Sequence, residues 1–178
     1  MDSAFQKHVL PHGDIKPIVE GKLWVVEGSL SYPLPRNMVI YKMPGEGLLL
    51  TSVIALNQQT MEKLEALGKP TTFLVPNKYH TMDLAVYKRQ YPQARLVCPA
   101  VDREAIEKKT GLRIDANAAM EFAAGSQTSY RAGTISHAVP GFGGWECYTF
   151  DLGDGHGVAA HFGDMLVNVN KPSSGLKE

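Results

Sequence analysis

The chain has 178 residues, 44% hydrophobic and 20% charged, a size and balance that fit one folded domain and exclude a disordered or collagen-like chain. Eighteen basic and eighteen acidic residues cancel and no Lys/Arg block stands out, so the positive patch that nucleic-acid binding requires is not present. No apolar run approaches the roughly 20 residues of a membrane span, and the start, MDSAFQKHVLPHGD, lacks a signal-peptide pattern, so the expected compartment is the cytoplasm, with no membrane partner.

Three strands come first, KLWVVEGSL, NMVIYKM and GLLLTSVIAL, each an apolar, β-branched cluster between turn signals such as YPLPRN and PGEG. LNQQTMEKLEALGKP then predicts a helix: Asn57 caps it, Met61, Leu64 and Leu67 share a face, Gly68 suits the residue after the end, and Pro70 stops continuation. TTFLVP is a short buried strand, TMDLAVYKRQYP a helix capped by Thr81 and ended by Pro92, ARLVCP a strand, and DREAIEKKTG a helix closed by Gly111. Strand and helix alternating in short order implies parallel pairing.

The chain then reverts to strands, YRAGTISHAV, ECYTFDL and GVAAHFGDML, the last two joined by the hairpin signal GDGHG. A β-meander, βα units and further antiparallel strands make a mixed α+β and α/β pattern that points to an αββα sandwich. Residues 1–178 read as a single domain, with 171–178 a mobile tail. Cys98 and Cys147 belong to no C-x-x-C pair and read as ordinary strand residues.

The side chains with chemistry to offer are His80, Asp83, His137, His161 and Asp164. His80 stands where a strand hands over to a helix, and Asp83 three residues on is spaced to point the same way on a first helical turn. A first-turn carboxylate is equally favoured by the helix dipole alone. His137 ends a strand before a Pro/Gly-rich turn, where a hydrogen-bonded structural imidazole is the plainer reading. For His161, small Ala159 and Ala160 before it leave its strand face open. Asp164 follows Gly163 at a strand end, where a sharp turn presents the carboxylate to a cleft. Imidazole and carboxylate together suit zinc, iron or manganese. PGFGGWE lacks the phosphate-loop lysine, and no G-x-S-x-G elbow is present.

FGDML, with AVPGFGGWECYTF and VPNKYH before it, resembles the metallo-β-lactamase fold superfamily. RNMVIYKMPGEGLLLTS, LEALGKPTTFLVPN and YPQARLVCP resemble a branch of it whose function is unknown, and the likeness runs in order from about Lys22 to about Asn170. The resemblance implies the same αββα sandwich and one or two metals that activate water.

In the superfamily the strand-to-helix junction carries His-x-His-x-Asp-His. With His80 on the second histidine, Lys78 takes the first, Met82 the aspartate and Asp83 the last. The next ligand, a histidine after a Pro-Gly turn, is replaced by Phe142, while Asp164 falls on the bridging aspartate and is retained. The resemblance thus implies at most one divalent metal, on His80 and Asp164 with Asp83 or His137, and with His80 and Asp164 the catalytic pair acting on a small-molecule ester, thioester or phosphoester.

It equally permits a metal-free, non-catalytic descendant used for binding or assembly, with apolar Met82 and Phe142 in ligand places. A third reading has His80 serve only local backbone. Family members continue into a closing helix and strand, and a surface left uncovered without them predicts a homodimer.

Overall fold

The structure, a computed structural model, describes residues 3–30, 35–45, 47–118, 130–134 and 146–162. A short helix α1 (Ser3–Gln6) leads into β1 (Lys16–Val19), β2 (Leu23–Gly28), β3 (Arg36–Met43) and β4 (Gly47–Thr51). Helices α2 (Gln58–Leu67), α3 (Leu84–Gln90) and α4 (Arg103–Thr110) then alternate with β5 (Pro70–Leu74), β6 (Arg95–Cys98) and β7 (Ala116–Asn117). β8 (Tyr130–Thr134), β9 (Glu146–Asp151) and β10 (Val158–His161) follow. The first seven strands form one sheet in sequence order, antiparallel from β1 to β4 and parallel from β4 to β7; the last three form an antiparallel sheet in the order β10-β9-β8.

Strand alternation divides the core in two. Trp24, Val26, Met38, Ile40, Leu48, Leu50, Phe73 and Leu96 face the helices and pack on Met61, Leu64, Leu84, Tyr87 and Ile106. Their neighbours Leu23, Tyr41, Met43, Leu49, Leu74 and Val97 face the second sheet and pack on Tyr148, Phe150 and Leu152. The described residues therefore stack as helix, sheet, sheet, which are the first three layers of the expected αββα order. Cys98 is buried on the helix side, the ordinary strand residue it was expected to be.

Local chemistry sets most element ends. Asn57 caps α2 as expected, its Oδ1 accepting from Thr60 N at 2.9 Å, while its own N–H donates to His12 Nε2 at 2.9 Å. Asn57→Ala is expected to lower stability by about 1 kcal/mol, measured by urea denaturation. Gly111 closes α4 with φ 70°, and the GDGHG hairpin forms between β9 and β10.

Two boundaries differ from the sequence reading. GLLLTSVIAL stops being a strand at Thr51, because Ser52 adopts φ 53° and the buried residues after it run as a loop to α2. Helix α3 begins at Leu84, and Thr81 does not cap it, since its hydroxyl turns back to Lys78 O at 3.5 Å. No helix among the described residues is long and apolar enough to cross a membrane.

Candidate functional site

The parallel strands end level at one edge of the large sheet, with Thr51 beside Leu74 and Leu74 beside Val97. Loops springing from such an edge are where α/β folds place ligands. The loop after β5, residues 75–83, carries His80, and its shape is held from several sides. Asn77 Oδ1 accepts from Tyr79 N at 2.8 Å, His80 N donates to Asn77 O at 3.2 Å, and Lys109 Nζ donates to Lys78 O at 3.3 Å. Asp102, buried in the turn after β6, accepts from the backbone N–H of Lys78; burial pushes its carboxyl upward, against the pull of the Lys78 charge and that hydrogen bond.

His80 is half-buried in this loop. Asp83 does not join it in a shared first helical turn, because residues 78–83 run as successive turns. The Asp83 side chain is fully buried, and its Oδ2 accepts both from Arg36 Nη1 at 2.8 Å and from Ala55 N at 2.9 Å. The pair ties β3, the loop between β4 and α2, and the start of α3. Tyr87, whose hydroxyl burial holds far above its ordinary range, donates to Ile54 O at 2.7 Å in the same loop.

Arg36 was not among the candidates from sequence, although a signal for it existed. Arg36, Met38 and Ile40 alternate on one strand face, and Met38 and Ile40 are core residues, so a cation on that face required a buried partner.

His161 reaches the same edge from the second sheet. Its register partner is Tyr148, and Ala159 pairs with Phe150, so these side chains share the inward face. His161 Nε2 lies 3.0 Å from Thr51 Oγ1 at the end of β4. The structure thus settles the face that the two alanines left open. His137 and Asp164 lie outside the described residues, as do Phe142 and the 171–178 tail.

Whether the described residues fit a metal is answered by their donors. Lys78 offers an ammonium rather than a lone pair, and it lies 5.4 Å from the Tyr79 ring centroid. Met82 is 51% exposed and Tyr79 54% exposed, so apolar groups face solvent beside His80. Asp83 is neutralised by Arg36. Among the described residues no three His, Cys, Asp or Glu side chains are grouped to hold an ion. The described residues on their own do not make a metal centre.

No protein-family model and no curated protein matches the chain. Solved structures similar to it include the metallo-β-lactamase FIM-1 from Pseudomonas aeruginosa in its mono-zinc form, at 14% identity and a TM-score of 0.49 over 86% of this chain. A second is a metallo-β-lactamase from Pontibacter korlensis, at 15% identity and a TM-score of 0.49 over 84% of this chain. The chain spans 66% of the length of each.

Proposed function

We propose that this chain is a non-catalytic sandwich that uses its sheet-edge mouth for binding or assembly, without a metal. The observation that carries this reading is the pair of exposed apolar side chains, Tyr79 and Met82, flanking His80 in the β5–α3 loop. A hydrolytic metal site needs lone-pair donors converging there with water held between them. An aromatic ring under an ammonium and a solvent-facing thioether instead make a contact surface for an apolar or aromatic group. A second copy of the chain is one such occupant, and a homodimer remains part of the proposal.

A second reading, a mononuclear hydrolase on His80 and Asp164, is favoured by two imidazoles at one edge of the large sheet, His80 in the loop after β5 and His161 reaching Thr51 from the second sheet. Turnover separates the two. A screen of esters, thioesters and phosphoesters with zinc, iron or manganese supplied is expected to show the same background rate for the wild type, His80→Ala and Asp164→Ala. Turnover lost in both variants would establish the hydrolase instead.

A further inference from the structure

The Arg36–Asp83 pair is enclosed but incompletely satisfied. Among the described residues, Asp83 Oδ2 receives donors from Arg36 and Ala55, whereas Oδ1 has no hydrogen bond, with His8 Nδ1 3.9 Å away. On the other side Arg36 Nε and Nη2 are buried with no hydrogen-bond partner among the described residues, and Nη1 also approaches Met82 Sδ at 3.5 Å. Three unused valences in a buried ion pair are a poor route to stability, because desolvation is incurred in full while the compensating bonds are not all made. What the pair does supply is position. It joins β3, the β4–α2 loop and the last two residues before α3, and the segment it anchors is the loop holding His80, Tyr79 and Met82.

Gly28, paired with Arg36 across β2 and β3, leaves room for Ile54 of the β4–α2 loop: a Cβ there would lie 2.9 Å from Ile54 Cδ1, while at 3.4 Å from Arg36 Nε it would make only ordinary contact. We infer that Arg36 is a positioning residue, an internal cation that fixes the β5–α3 loop and so sets where His80 stands in the mouth. This goes beyond the binding reading and holds for a metal-free or a metal-bound mouth alike.

The test uses the full chain with three changes: Arg36→Met, Asp83→Leu and the two together. Each single change is expected to lower the urea midpoint substantially, since each strands a buried group. The double change, which replaces the pair by apolar side chains, is expected to recover the wild-type midpoint or exceed it. Even so, the His80 imidazole resonances are expected to move in the refolded double variant. Unchanged His80 resonances in that variant, or single changes that leave the midpoint alone, would overturn the inference.

Arg36→Lys provides an independent reading should the double variant not fold. A lysine keeps the charge but not the fork, so faster amide exchange at Tyr79 and His80 is expected. Exchange identical to wild type there would likewise overturn the positioning role.

Discussion

Asp83→Ala is expected to remove about 3–5 kcal/mol of folding stability, the range for breaking a buried ion pair by deleting one partner. The loss has two parts. Arg36, whose side chain is 11% exposed, keeps its charge in the core with no carboxylate opposite, and the Ala55 N–H loses its acceptor. The second part alone is worth about 1–3 kcal/mol for a buried donor left unmade. Against a total stability of about 5–15 kcal/mol for a domain, the change brings the protein near its unfolding threshold, and urea denaturation at neutral pH measures it directly. A loss below about 1 kcal/mol, the range of exposed ion pairs, would mean that water reaches the pair and that Asp83 is available to a ligand after all.

The second large effect is expected from Phe150→Ala, at about 3–5 kcal/mol for a fully buried ring. Phe150 stacks on Tyr41 with ring centroids 4.8 Å apart and planes 16° apart, bridging the two sheets. Other cross-sheet ties are smaller. The Tyr41 hydroxyl donates to Asp151 O, a neutral bond worth about 1 kcal/mol net, and the Lys22–Asp154 pair at 2.7 Å is surface-exposed and screened by water. Burial of Phe150 together with Tyr148 and Leu152, more than those polar contacts, docks the three-stranded sheet. Because that sheet presents His161 to Thr51, Phe150→Ala is also expected to shift the His161 imidazole resonances. Tyr41→Phe, tested beside it, is expected to lose only about 1 kcal/mol and to leave His161 in place.

The architecture was legible because its punctuation is local. Asn57 and Gly111 close helices by their own backbone and side-chain chemistry, and GDGHG turns a hairpin without help from the rest of the chain. Elements lacking such signals escaped. β1 is a four-residue strand that is mostly exposed, with no apolar alternation to reveal it, and β7 has only two residues. The end of β4 depends on the left-handed Ser52, which nothing in GLLLTSVIAL marks.

For the site, position was legible but partnership was not. The sequence put His80 at a strand-to-helix junction, and it does occupy the loop there. Asp83 read as a possible companion of His80 because the two are three residues apart, but the partner that claims it, Arg36, is 47 positions upstream on a neighbouring layer. Only the alternation Arg36, Met38, Ile40 hinted at a buried cation. The His161 contact with Thr51 spans 110 positions and follows from β9–β10 register, which sequence alone did not fix.

The central claim, a mouth that binds without a metal, is tested most directly by metal stoichiometry. Protein purified without chelator, and again after equilibration with zinc, iron and manganese, would be measured by elemental mass spectrometry beside His80→Ala and Asp164→Ala. The prediction is a metal content no higher in the wild type than in either variant. About one metal per chain, lost in both variants, would contradict it and establish a mononuclear centre on His80 and Asp164.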